Sequence, residues 1–237
     1  MTSRPPLNDL DRLLASLDHG LRTVFAKPAA ARPTPRPVIF TTAPATTPTA
    51  TPADAPPSAL PAVPELLTEA QTRLSGALMR INHVGEICAQ ALYQSQSLVT
   101  RNPALREHFA HAAQEELDHL AWTHQRVTEL GTHTSYLTPL WYAGAFSVGC
   151  LAGLASDRIS LGFVVETERQ VEQHLATHLD RLPAEDLSSR AIVAQMKLEE
   201  ARHAEEALAA GAQAMPAPVK LMMKMAAKVM TRTAHYI

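Results

Sequence analysis

The sequence predicts an all-α chain, a four-helix bundle with one additional apolar helix and a C-terminal amphipathic helix. Three observations predict it. Apolar residues recur at helical spacing almost without interruption from residue 65 onward. Prolines and glycines cut this region into segments of helix length rather than strand length. A Glu-x-x-His motif occurs twice, in separate segments, as facing helices of a bundle would place it.

Residues 7–25 carry Leu7, Leu10, Leu13, Leu14, Leu17, Leu21 and Phe25 at helical spacing, with Asp11, Arg12, Asp18 and Arg22 between them, which predicts a short amphipathic helix. Residues 28–64 hold eleven of the 18 prolines, mixed with alanine and threonine. Such a segment cannot sustain a helix or bury enough apolar surface to fold, so a semi-extended, disordered linker is expected, acting as a passive tether. The chain therefore divides into an N-terminal helix (1–27), a linker (28–64) and a helical domain (65–237). Within the domain a first helix spans about 65–100 and stops before Asn102-Pro103. The next spans 103–130 and stops at Gly131. An apolar, glycine-spaced helix covers 138–155. Another runs from Asp157 to before Pro183, and a fifth from 184 to 210, closed by Gly211. The last starts at Pro216, a residue suited to a first turn. Short links between long helices imply antiparallel neighbours.

Composition narrows the function. The chain is 46% hydrophobic, with net charge −2 and pI near 6.6, which leaves no electrostatic footprint for nucleic acid. The two cysteines, Cys88 and Cys150, form neither a C-x-x-C pair nor a disulfide framework; core positions and a reducing, intracellular setting are expected. The opening Met-Thr-Ser-Arg-Pro-Pro, followed by charged residues, does not read as a secretory signal. The uncharged stretch 137–155 is interrupted by Gly144, Gly149 and Gly153 and sits at or below the roughly 17–25 residues a membrane span needs, so it is not read as a span.

The chemistry lies in the repeated motif, Glu116-Leu117-Asp118-His119 and Glu200-Ala201-Arg202-His203. Residues three apart share one helix face, so carboxylate and imidazole can bind one metal ion together. A two-metal bundle site needs two further carboxylates, one from each remaining core helix. Glu86 lies among Leu78, Ile81, Val84 and Ile87, and Glu166 follows Leu161-Gly162-Phe163-Val164-Val165. A carboxylate on an apolar face is costly to bury unless paired or bound to metal. The set Glu86, Glu116, His119, Glu166, Glu200 and His203 is that of ferritin-like di-iron and di-manganese proteins. It suits iron or manganese better than four-coordinate zinc.

The segments Leu78-Met79-Arg80-Ile81-Asn82-His83-Val84-Gly85-Glu86, Glu115-Glu116-Leu117-Asp118-His119-Leu120, Val164-Val165-Glu166-Thr167-Glu168 and Glu199-Glu200-Ala201-Arg202-His203 resemble the demethoxyubiquinone hydroxylase family of ubiquinone biosynthesis, across about 65–237. The resemblance implies a ferritin-like fold holding two iron ions per chain at those six residues. It implies an oxygen-dependent monooxygenase that hydroxylates a polyprenylated methoxy-methyl-benzoquinone or benzoquinol, with dioxygen and an electron donor as co-reactants. It also implies a peripheral protein on the cytoplasmic face of the cell membrane. The rival readings are a ferroxidase or rubrerythrin-like iron protein, a tRNA-modifying di-iron hydroxylase, and a non-enzymatic helical membrane adaptor. The near-neutral charge argues against RNA.

Other residues are weighed against simpler roles. Asp118 is a candidate to hold a ligand imidazole by its second nitrogen, and His83 to stand behind Glu86. Glu168, Glu172, His174 and His178 are expected on a solvated face. After Pro216, Lys220, Lys224 and Lys228 form one stripe and Leu221, Met222, Met225 and Val229 another, a pattern suited to an anionic membrane surface.

Overall fold

The computed structural model describes residues 8–37 and 66–237; Leu7, Glu65 and most of the expected linker, 38–64, lie outside the described residues. Seven α-helices and no strand occur among the described residues: α1 (Asp9–Phe25), α2 (Glu69–Val99), α3 (Pro103–Glu129), α4 (Thr138–Ala155), α5 (Asp157–Arg181), α6 (Leu187–Ala209) and α7 (Ala217–Ala234).

The boundaries follow from local chemistry. Asn8 and Thr68 cap α1 and α2 through reciprocal side-chain and backbone hydrogen bonds with Asp11 and Gln71. Asn102 caps α3, with Pro103 in its first turn, and Asp186 caps α6. Gly131 and Gly211 follow the ends of α3 and α6 with positive φ, the conformation in which a glycine has no Cβ penalty.

α2, α3, α5 and α6 form the bundle as two antiparallel hairpins, α2–α3 and α5–α6, with α4 as the long connection between them, packed on α2 and α5. Gly149 allows that packing. A Cβ there would overlap the Ser95 side chain and come within 3.1 Å of the Leu92 carbonyl oxygen. The core has two large apolar clusters and a small one of Ile81, Val84 and Ala234. One contains Leu78, Met79, Trp122, Val127, Leu175, Ile192 and Met196. The other contains Tyr93, Leu105, Phe109, Leu161, Val164, Val165 and Ala207. On every bundle helix buried polar side chains lie between these two sets, among them Glu86, Glu116, His119, Glu168, Glu200 and His203, so the bundle encloses a charged layer between two hydrophobic regions. Buried Arg80 locks one end by donating to the carbonyls of His133 and His235 and to the Thr132 hydroxyl. It thereby places its charge at the negative end of α7.

Three helices carry apolar side chains outward. On α1, Arg12, Ser16, His19, Gly20 and Thr23 form the more buried side, whereas Leu10, Leu13, Leu14, Leu17, Leu21 and Phe25 are exposed. This inverts the usual orientation of an amphipathic helix on a water-soluble domain. α4 buries only Thr138, Gly149 and Ala152 and exposes Leu140, Val148, Leu151 and Leu154. By length and composition alone it is the one described helix able to cross a membrane. α7 exposes Leu221, Met222, Met225 and Val229.

The first part of the expected tether is held against the domain. Residues 28–37 have no helix or strand, yet the Thr34 hydroxyl donates to Gln125 Oε1 at 2.8 Å, and Arg36 lies 3.7 Å from Glu129.

Candidate metal centre

Between the two apolar clusters, each bundle helix contributes carboxylates or imidazoles to one buried group. Glu86, Glu116, His119 and Glu200 bring ligand atoms within 4.8 Å of one another, all buried. His119 Nδ1 lies 3.2 Å from Glu116 Oε2, 3.4 Å from Glu200 Oε1 and 3.7 Å from Glu86 Oε2. His203 Nδ1 lies 2.9 Å from Glu116 Oε1 and 3.6 Å from Glu200 Oε2. Glu116 and Glu200 thus each turn one oxygen toward His119 and the other toward His203.

Five of the six sequence-predicted residues meet in this way; Glu166 does not. Its carboxylate accepts from Gln170 Nε2 at 2.8 Å and pairs with Lys220 Nζ at 2.9 Å, which ties α5 to α7. Burial acts against its ionisation, but the Gln170 amide and the Lys220 ammonium hold its carboxyl below the usual range. The residue of α5 that enters the charged layer is Glu168, which is buried and accepts from the Tyr93 hydroxyl at 2.7 Å. The reason is helical phase. Leu161, Val164, Val165 and Leu175 form the inward stripe of α5, and position 168 continues it, whereas 166 is turned about 200° from 168. The apolar run before Glu166 marked the right helix, and the stripe through Leu161 and Leu175 marks the residue on it.

The electrostatics suit a cation. Burial pushes Glu86 and Glu168 well above the usual carboxylate range, and neighbouring Glu116 and Glu200 add to this. Burial opposes ionisation of Glu116 and Glu200 as well, but His119 and His203 overcome it and hold both below that range. The same carboxylates, against burial, raise His119 and hold His203 up to about 12. Four buried carboxylates cannot all ionise side by side without positive charge among them. Glu86 Oε2, Glu116 Oε1, Glu200 Oε2 and His203 Nδ1 are buried and converge without a well-aligned hydrogen bond. Unbonded donor atoms gathered at one point fit a bound cation. Four carboxylates carry −4 and two divalent ions +4, so the donor set and its charge fit two ions of the iron or manganese type.

A second layer orients the imidazoles. His119 Nε2 contacts Glu199 Oε2 at 2.6 Å and His203 Nε2 contacts Glu115 Oε2 at 3.1 Å. Each motif is therefore Glu-Glu-x-x-His, and the first glutamate of each reaches across to the histidine of the other, fixing ring orientation and raising ligand basicity. The doubled glutamates at 115–116 and 199–200 were the available sign of this. Asp118 does not hold an imidazole. It accepts from the Ala31 and Arg32 backbone and from the Arg32 guanidinium. His83 is buried with its ring 5.7 Å from that of His124, and burial lowers it to about 3. His174 and His178 do not lie on a solvated face. Their rings are 3.9 Å apart, and burial lowers them to about 4 and about 2. Cys88 and Cys150 are half-buried and free.

Comparison with known proteins agrees with this architecture. Residues 73–234 match the family described as ubiquinone biosynthesis protein COQ7. A protein of Polaromonas sp. (strain JS666) named 3-demethoxyubiquinol 3-hydroxylase is 57% identical over 228 residues, 96% of this chain and 98% of the relative. Proteins of the same name from Methylibium petroleiphilum and Verminephrobacter eiseniae are 54% and 52% identical, each over 98% of this chain and 99% and 100% of their own. A bundle with a buried Glu/His layer, matched by the family over most of its length and by relatives over nearly all of it, belongs to the ubiquinone biosynthesis protein COQ7 family.

Proposed function

We propose that this chain is a 3-demethoxyubiquinol 3-hydroxylase, a di-iron monooxygenase that places a hydroxyl on a polyprenylated methoxy-methyl-benzoquinol. The observation that carries the proposal is the buried, charge-demanding Glu/His layer in a chain more than half identical, end to end, to relatives of that name. Glu86, Glu116, His119, Glu168, Glu200 and His203 would hold the ions, with Glu168 in the place that the sequence assigned to Glu166. Glu116 and Glu200 would contribute from between the two imidazoles, and Glu86 and Glu168 from the flanks. When bound, the iron pair supplies dioxygen activation, so that one oxygen atom enters the ring C–H bond as C–OH and the other leaves as water, with two electrons and two protons from a donor.

The protein's own residues prepare that chemistry. Glu199 and Glu115 hold the imidazoles with Nδ1 turned inward. The Tyr93 hydroxyl holds Glu168 by donating to it. Leu78, Met79 and Met196 on one side and Phe109 and Val164 on the other line the layer with apolar volume and exclude water from it. The outward faces of α4 and α7, with the Lys220, Lys224 and Lys228 stripe, support binding to the anionic cytoplasmic face of the cell membrane, where a long-tailed quinol resides. An iron-storage role gives these apolar faces no purpose.

The test is mass spectrometry of quinones in cells lacking the protein, together with turnover of the purified protein under labelled dioxygen. A demethoxy precursor should accumulate, and the new hydroxyl should carry the label. Oxygen drawn from water would remove the monooxygenase reading.

A further inference from the structure

The two Glu-Glu-x-x-His motifs carry opposite charges at the position before the histidine, and the N-terminal segment makes up the difference. On α6, Arg202 stands between Glu200 and His203, and its Nη2 donates to Glu115 Oε1 at 2.6 Å, so the carboxylate that orients His203 is itself held by a guanidinium from within the bundle. The equivalent position on α3, between Glu116 and His119, is Asp118, an acid that cannot hold Glu199. Asp118 instead captures Arg32: it accepts from the backbone N–H of Ala31 at 2.6 Å and from Arg32 Nε at 2.5 Å. So placed, Arg32 donates through Nη1 and Nη2 to both oxygens of Glu199, at 2.6 and 2.9 Å, in a bidentate pair. Its guanidinium also lies 4.9 Å from the centre of the Trp122 ring, and its carbonyl accepts from Trp122 Nε1 at 3.3 Å. Glu199 Oε2 is in turn 2.6 Å from His119 Nε2.

The geometry points to Arg32 as a positioning residue for one of the two metal positions: from outside the bundle it fixes Glu199, and Glu199 fixes His119. This rests on the di-iron reading. It makes the N-terminal segment part of the metal centre's support, and it makes the support unequal, because the His203 half draws its arginine from α6 and the His119 half draws its own from a segment outside the bundle helices. Without Arg32, Glu199 keeps only the Gln195 amide, which donates to its Oε1 at 2.6 Å, and loses the charged bidentate hold that sets the His119 ring, while His203 keeps its own support.

The experiment loads the full-length chain anaerobically with ⁵⁷Fe(II) and records Mössbauer spectra, iron content after dialysis and melting temperature for wild type, Arg32→Gln, Arg32→Lys, Glu199→Gln, the Arg32→Gln/Glu199→Gln double variant and Arg36→Ala. In Arg32→Gln one of the two iron environments should shift and hold its ion roughly tenfold less tightly, the size of effect typical of an outer partner. The other environment should stay as in wild type. Arg32→Lys should recover part of the change. Glu199→Gln should change the same environment, and the double variant should add little to it, as expected for two residues acting in one chain of contacts. Arg36→Ala, which loosens the same segment at Glu129, should leave both environments unaltered. An Arg32→Gln spectrum identical to wild type, with or without a lower melting temperature, overturns the inference, as does an equal change at both irons. A wild-type chain that takes up no iron removes the di-iron reading itself, which is a separate result.

Discussion

At the residue scale, the layer is held by a balance between burial and charge. A carboxylate in an apolar bundle is stable as an anion only where a cation or donor faces it, and four glutamates of the layer divide accordingly: Glu116 and Glu200, between the imidazoles, ionise readily, while Glu86 and Glu168, on the flanks, resist. Glu166 and Glu168 are two residues apart and have different tasks. Glu168→Gln should lower iron content and reduce turnover by more than the roughly 10–100-fold that follows loss of an outer partner. Helix content should persist, because the two apolar clusters remain. Glu166→Gln should keep its iron and its spectrum and weaken only the tie between α5 and α7 at Lys220. Iron analysis and circular dichroism on the pair check this. Iron loss in Glu166→Gln with none in Glu168→Gln would return the ligand role to Glu166.

At the element scale, the helices that build the layer and those that face outward have different patterns. α2, α3, α5 and α6 interrupt an apolar stripe with a polar layer at matching height, so no one of them can bury its inward face alone. α1, α4 and α7 keep their apolar rows exposed, with Leu17, Leu151 and Leu221 each more than half exposed. Exposed apolar surface on three helices suits contact with another phase or partner. A membrane-bound chain with these faces in the acyl region should use them to receive the isoprenoid tail. Met225→Asp or Leu221→Asp should therefore weaken turnover of a long-tailed quinol by tenfold or more, since a charge at a lipid-facing position costs about 2 kcal/mol or more, while sparing a short-tailed analogue. Equal losses on both substrates would detach the faces from tail binding.

At the scale of the whole molecule, the chain couples an outward-facing N-terminal helix to the centre of the bundle through residues 31–36. Deleting 38–64 should leave folding and iron uptake unchanged, because that composition offers no core. Extending the deletion back to residue 30 removes the Arg32 clamp and should lower iron retention. Melting curves and iron content of the two deletions, compared side by side, test this. A large fall in melting temperature with the shorter deletion would give 38–64 a structural role.

The helices, their ends and the presence of a buried Glu/His layer were legible in the sequence because each depends on near neighbours. Capping needs a side chain within three residues, a stop needs a glycine or proline, and Glu-x-x-His needs only helical spacing. The apolar run before Glu166 likewise identified the third contributing helix. Which glutamate of that helix turns inward was decided by the phase of α5 against α2 and α6, and two positions of sequence become about 200° of rotation. The exchange of Glu115 and Glu199 between the two motifs, and the capture of Arg32 by Asp118, lie further still from local pattern, because they join residues 88, 80 and 86 positions apart. Local spacing fixes what a helix offers on each face; only the packing of one helix against another decides which offer is taken up.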